Sequence, residues 1–307
     1  MERIGIVVNE NAGNQQGRKD LHKIEAEFKK NQLDYHIVKT EYQGHAEKLT
    51  ADLILQGFRK IVGVGGDGTL NEMINGVMKQ TAVPSIEFTL GIIPVGSGND
   101  WGRTLKVPND YAAAVGLIAA GKTVVQDIAR VISLNNPDAV RYFINVAGGG
   151  FDAFVARKTN QLKQNGKGSA VTYLLALFTS MFKFKSSRVS LMIDDTPFED
   201  RLLSFSVGIG QYNGGGMKQL PNAIYNDGLL DVTTIQHITH VKMARSVPKL
   251  YDGSHLSLPE VHTFTGKKVT IHSNPPVLIE TDGENCGETP VEIGIFPLAI
   301  HVYSGLA

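Results

Sequence analysis

The apolar rhythm of this chain changes once, near Lys122, and that change restricts its fold more than any other feature. Before it, short apolar runs alternate with amphipathic stretches. Ile4–Val8, Tyr35–Thr40, Lys60–Gly66 and Thr89–Val95 read as buried strands. Arg18–Asn31 carries Leu21, Ile24 and Phe28 at helical spacing; His45–Gln56 and Thr69–Met78 read as two further helices. Strand–helix alternation of this kind makes a parallel sheet with helices on both faces. After Lys122 the strands are short and alternating: TVVQDIARV, RYFINVAG, RVSLMID, RLLSFSVGIG, LLDVTTIQ, KKVTIHS, PVLIETDG and VEIGIF. That pattern predicts an antiparallel sandwich or barrel, with helices mainly at Ala153–Phe182 and Val241–Tyr251. The predicted class is α/β plus all-β.

Length agrees with two domains, since 307 residues are long for one core. With 42% hydrophobic and 20% charged residues the chain is globular rather than disordered. The net charge of zero gives no global attraction to nucleic acid, and no nucleic-acid partner is expected. The one cysteine, Cys286, excludes an intrachain disulfide and suits a reducing cytoplasm. The N-terminal apolar run is too short for a signal peptide. No run reaches the ~20 apolar residues that span a bilayer, so membrane contact is expected to be peripheral.

One segment suggests where that contact lies. Between Ala153 and Ile193 there is no acid, while Arg157, Lys158, Lys163, Lys167, Lys183, Lys185 and Arg188 flank the apolar stretch Ala170–Phe182. Basic residues beside an apolar helix favour an anionic leaflet. This segment is read as docking on the inner face of the membrane; an ordinary cover helix with a basic rim is the rival reading.

Three polar loops follow predicted strands: Asn9-Glu10-Asn11-Ala12-Gly13-Asn14, Gly65-Gly66-Asp67-Gly68-Thr69 and Gly96-Ser97-Gly98-Asn99-Asp100. In a parallel sheet they share one edge, where bare backbone N–H groups and helix N-termini bind phosphates. A carboxylate facing phosphate is repulsive unless a divalent cation intervenes, so Asp67 and Asp100 point to Mg²⁺, directly or through water. No GxxxxGK[ST] and no GxGxxG is present.

At these residues the chain resembles the catalytic domain of the diacylglycerol kinase and sphingosine kinase superfamily, most closely the soluble bacterial diacylglycerol kinases. The likeness rests on VGVGGDGTLNEMINGV (Val62–Val77), LGIIPVGSGNDWGRTL (Leu90–Leu105), GGGFDAFVA (Gly148–Ala156), NGGGMKQLPNAIYNDGLLDV (Asn213–Val232) and ETDGE (Glu280–Glu284). The resemblance implies a nucleotide-binding domain over 1–124, like that of NAD kinase and phosphofructokinase, and a β-sandwich lipid-substrate domain over 125–296, with 297–307 returning to the first. It implies ATP contacts at Asn9, Glu10, Asn11, Ala12, Gly13, Thr40, Gly65, Gly66, Asp67, Gly68, Thr69, Leu70, Asn71 and Ser97; most relatives have Thr where this chain has Ser97. It implies a structural Mg²⁺ at Asp227 with the carbonyls of Leu229 and Ile224, a place that also fits a simple Asx turn.

Phosphoryl transfer to an alcohol needs Mg²⁺, in-line placement and a group that takes the hydroxyl proton. Asp282-Gly283-Glu284 supplies two carboxylates on one turn, and either suits the last task. The resemblance ranks Glu284 first. It sets Asp152 on the substrate side, where a helix N-cap is the rival reading. Asp127 falls at the domain hinge, where it is expected to help hold the loops on the substrate side. The expected activity is phosphorylation of diacylglycerol by ATP. Phosphatidylglycerol, ceramide and a sphingoid base are alternative acceptors, and NAD kinase and a non-catalytic nucleotide-binding module are the rival classes. A homodimer is left open.

Overall fold

A computed structural model describes residues 3–96, 98–164, 184 and 186–306. Ser97 and the apolar stretch 170–182 therefore lie outside the described residues. The chain divides into two compact units, Met1–Ile128 with Leu298–Ala307, and Ala129–Pro297. Each has its own core.

The first unit is a parallel sheet. Its strands are β1 (Ile4–Val8), β2 (Tyr35–Lys39), β3 (Lys60–Gly65), β4 (Thr89–Pro94) and the end of β15 (Val291–Tyr303), in the order β15-β4-β3-β1-β2. Helices α1 (Ala12–Lys30), α2 (His45–Leu55), α3 (Asp67–Lys79), α4 (Asp100–Thr104) and α5 (Tyr111–Ala119) connect and cover them. Ile4, Ile6 and Val8 meet Leu21, Ile24 and Phe28 of α1 and Val115 and Ile118 of α5. Phe28 is fully buried, worth about 2–3 kcal/mol by transfer. The N-terminus of α2 has no cap of its own; Glu72 of α3 accepts from Gly44 N (2.8 Å) and Ala46 N (3.0 Å) instead. A carboxylate there satisfies orphan donors and complements the helix dipole.

The second unit is antiparallel. It comprises β6 (Val140–Phe143), β7 (Val146–Gly150), β8 (Ser187–Ile193), β9 (Thr196–Gly208), β10 (Leu230–Gln236), β11 (Val261–Gly266), β12 (Lys268–Asn274), β13 (Leu278–Thr281), β14 (Glu284–Glu288) and the start of β15. The order β14-β13-β7-β9-β8-β12-β15 is read along its main path, with β10 joining β9 to β11. Strand β9 is the spine: Thr196–Leu202 pairs with β8, and Ser204–Gly208 pairs with both β7 and β10. The side chains of β8 alternate strictly between buried and exposed, as a strand with one wet face should. Its inner residues Val189, Leu191 and Ile193 join Phe205, Val207, Val232, Ile271 and Ile293 in one core. Helix α6 (Phe151–Gln164) follows β7, and α7 (His240–Asp252) packs Met243 and Val247 with Phe151 and Val155. The chain crosses between the units inside β5 (Thr123–Ser133) and inside β15.

Parallel strands come first and antiparallel strands second, as the rhythm predicts. The details depart from it in several places, among them the unpredicted α4 and the break of RYFINVAG into β6 and β7. Helix α1 begins at Ala12 rather than Arg18, because Gly13, Asn14 and Gln15 form a left-handed turn (φ 60°, 56° and 67°) ahead of the regular helix. Helix α5 was not predicted: YAAAVGLIA is nearly all apolar and carries no amphipathic period. Strand β14 was not predicted, since ENCGE is polar and extended only by pairing with β13. Strand β11 was not predicted; only Gly266 of its six residues is buried, so VHTFTG carries a weak apolar signal.

Candidate active site

In the first unit, parallel pairing sends the ends of β1, β3 and β4 to one edge. The loops that follow are stitched together there. Asn9 Nδ2 donates to Thr69 Oγ1 (3.1 Å), Asn9 N to Val64 O (2.9 Å) and Val95 N to Gly65 O (3.0 Å). Two glycines are required by close approach. A methyl on Gly13 would lie 1.8 Å from Val95 O, and one on Gly96 would lie 3.0 Å from the Cα of Gly66. Gly65 and Gly66 thus lead bare backbone into Asp67, the first residue of α3, with Gly68, Thr69, Leu70 and Asn71 in its first turns. Asn11, Ala12 and Gly13 open α1, and Thr40 N is held on Val8 O (2.9 Å). Glu10 pairs with Lys39 (2.8 Å) and Arg18 (3.4 Å), and the Lys39 ammonium, with Arg18, holds its carboxyl below the usual range.

Asp67 and Asp100 are brought together. A methyl on Gly98 would sit 2.9 Å from Asp67 Oδ2 and 3.7 Å from Asp100 Oδ2. Asp67 Oδ1 accepts from Trp101 N (3.1 Å). Burial pushes its carboxyl up, and the N–H groups of Trp101, Asp100 and Asn99 pull against that. Asp100 is 5% exposed, with Arg103 Nε at 3.7 Å. Two hard-oxygen carboxylates over one glycine, beside a bare-backbone loop, fit Mg²⁺ that keeps several waters. Among the described residues no group of three or more His, Cys, Asp or Glu could hold a metal alone, so water or phosphate would complete the shell. Asp127 does different work: fully buried, it accepts from Leu298 N (2.7 Å) and ties β5 to β15.

In the second unit, β13 and β14 are joined by a two-residue turn at Asp282 and Gly283, with φ of +50° and +86°. Asp-Gly is the sequence that tolerates two left-handed residues in a hairpin. Asp282 is 7% exposed, and its carboxylate accepts from Ile144, Asn145 and Val146 N, each at 3.1 Å. Three donors hold it to the 144–146 backbone. Glu284, the next position, is half-buried at the start of β14.

Around this turn lie Asp152, which the sequence singled out, and Glu280, Asn213 and Gln219, which it did not. Glu280 is 2% exposed; Oε1 accepts from Asn213 Nδ2 (2.8 Å) and Oε2 from Gly283 N (2.6 Å). Burial pushes its carboxyl up to about 8, against Asn213 and Gly283, with Asp282 and Asp152 adding repulsion. Asp152, second residue of α6, is pushed up to about 7 by burial, with the Ser206 hydroxyl opposing. Ser206 Oγ donates to Gln219 Oε1 (3.0 Å), which also faces Asn213 Nδ2 (3.3 Å). Glu280 and Asn213 stand inside quoted motifs, yet only pairing across three strands reveals their burial.

The NDG turn is exposed at Asp227, whose Oδ1 accepts from Leu229 N (3.0 Å), an Asx turn. Asp231, which the sequence reading also missed, is pushed up to about 6 by burial and by the Asp227 charge. Ile224 is 51% exposed.

A parallel-sheet unit with glycine loops at its carboxyl edge, followed by an antiparallel unit carrying clustered acids, fits a phosphotransferase. Known proteins agree. Residues 3–131 match the diacylglycerol kinase catalytic domain, and 145–304 match the YegS C-terminal NAD kinase beta sandwich-like domain. A Staphylococcus saprophyticus relative named diacylglycerol kinase is 28% identical over 289 residues, covering 94% of this chain and 91% of its own. A Bacillus subtilis relative of the same name is 26% identical over 302 residues, covering 98% and 96%. A solved Bacillus anthracis diacylglycerol kinase superposes with a TM-score of 0.74 at 25% identity, covering 99% and 97%. The chain belongs to the diacylglycerol kinase catalytic-domain superfamily and is a lipid kinase.

Proposed function

We propose that this kinase transfers the γ-phosphoryl group of ATP to the free hydroxyl of diacylglycerol, giving phosphatidic acid, at the inner face of a membrane. The observation that carries the phosphoryl-transfer part is the convergence of Asp67 and Asp100 over Gly98 beside a bare-backbone loop. The acceptor follows from relatives named diacylglycerol kinase over nearly the whole chain.

Backbone N–H groups of the Gly65–Gly68 and Asn11–Gly13 loops cradle the triphosphate, with Asn9 and Thr69 fixing the loops against each other. Asp67 and Asp100 would hold Mg²⁺, which would supply charge neutralisation for phosphoryl transfer. Glu284 takes the proton of the acceptor hydroxyl as the oxygen attacks phosphorus and the bond to the ADP oxygen breaks. Asp282, held by three backbone donors, keeps that turn in place. Asp152 orients the acceptor head. A diacylglycerol acceptor is water-insoluble, so contact with the bilayer is peripheral; among the described residues no helix is long and apolar enough to cross it.

The test is phosphorylation with radiolabelled ATP and Mg²⁺ in mixed micelles. Diacylglycerol, phosphatidylglycerol, ceramide, sphingosine and soluble NAD are offered in turn. Labelled phosphatidic acid is expected. Preferred labelling of another lipid overturns the acceptor, and labelling of NAD overturns the class. Replacing Glu284 by Gln should lower kcat about 100- to 10,000-fold, and unchanged turnover removes it as proton acceptor.

A further inference from the structure

Glu280 is a carboxyl where a sandwich strand has no need of one. It sits between the buried Ile279 and Thr281, in register with Gly148 of β7 and Asn285 of β14. An apolar residue there would be buried at less expense than an ionisable one. The site is nevertheless built for a carboxyl. Gly148 opens the space: a methyl on it would lie 2.6 Å from Glu280 Oε1 and 3.4 Å from Asp152 Cβ. Asn213 is fixed in orientation, because its Oδ1 accepts from Gly214 N (2.8 Å), which leaves Nδ2 for Glu280. The other Glu280 oxygen holds Gly283 N, inside the turn that presents Glu284. That turn is thus clamped twice, by Asp282 on the 144–146 backbone and by Glu280 on Asn213. Asn145 Nδ2 donates to Tyr212 O (2.6 Å) and links the two clamps.

We infer that Glu280 is a positioning residue for phosphoryl transfer: bridging Asn213 and Gly283, it sets the 282–284 turn so that Glu284 meets the acceptor hydroxyl, and it does not touch the acceptor itself. The inference rests on the reading of Glu284 as proton acceptor. A displacement of about 1 Å at a reacting group is worth roughly 100-fold in rate.

Steady-state kinetics with ATP and diacylglycerol micelles test it on Glu280→Leu, Glu280→Gln, Gly148→Ala and Asn213→Ala, each checked by thermal melting, with Glu284→Gln as reference. Glu280→Leu should lower kcat about 100-fold and leave KM for ATP within a few-fold. Glu280→Gln keeps one accepting oxygen and should fall between Leu and the parent. Gly148→Ala reaches the same carboxyl from the opposite strand and should lower kcat with the same KM pattern. Adding Asn213→Ala to Glu280→Leu should cost less than the product of the single effects. If Glu280→Leu does not fold, Glu280→Gln and Gly148→Ala decide. Folded variants turning over at the parental rate, or losing activity through KM for ATP alone, overturn the inference. A fully active Glu284→Gln instead overturns the reading beneath it.

Discussion

At the scale of single residues, the second unit keeps carboxyls in places where they ionise with difficulty. Glu280 holds its proton to about pH 8 in the folded chain, against 4.5 as the ordinary value. The native state therefore binds more protons than the unfolded one across that window, and stability falls as pH rises from about 4.5 to about 8. Asp152 contributes in the same direction between 3.8 and about 7. Urea midpoints measured at pH 5 and pH 8 should differ less in Glu280→Gln than in the parent; an equal difference would show that Glu280 titrates normally. Cys286 gives a second prediction. Burial pushes its thiol up to about 12, and Sγ lies 3.6 Å from Ile279 O. The native thiol should react with iodoacetamide about 1,000-fold more slowly than in urea, because little thiolate exists at neutral pH; equal rates would refute it. Asp282 and Glu284 were indistinguishable as letters in ETDGE. The difference between them lies in three N–H groups some 136 to 138 residues away.

At the scale of elements, some depend on a single polar contact. The side chain of Asp110 caps α5 by accepting from Ala113 N (2.9 Å), and its replacement by Ala should cost about 1 kcal/mol, read from chemical denaturation. Asp127 carries more, since it is fully buried and Leu298 N donates to it. Asp127→Ala leaves that donor unpaired and should cost about 2 kcal/mol, while Asp127→Asn keeps an acceptor and should cost less. Equal losses in the two variants would mean the bond to Leu298 is not what Asp127 supplies. The sequence reading found the elements with a clear apolar run or period, β1 to β4, α2 and α3 in the first unit and β8, β9, β10 and β12 in the second. It missed α5, uniformly apolar, β14, polar throughout, and also the short α4 and β11.

At the scale of the whole molecule, two units with separate cores divide the proposed work. ATP with Mg²⁺ should slow hydrogen exchange at 9–13, 65–71 and 98–101, and diacylglycerol micelles at 148–152 and 280–284. Protection by nucleotide confined to the second unit would contradict the assignment of ATP to the glycine loops.

The sequence alone determined the order of parallel before antiparallel strands, because apolar period follows from which faces of an element are buried. It also determined the phosphate-type loops, because glycine runs after strands permit few backbone paths. Tertiary structure alone decided which acids are neutralised, anchored or half-exposed. Glu280, Asp282 and Glu284 are near-identical chemistry within five positions, and their fates depend on Asn213, Gly148 and the 144–146 backbone, brought to them by strand pairing.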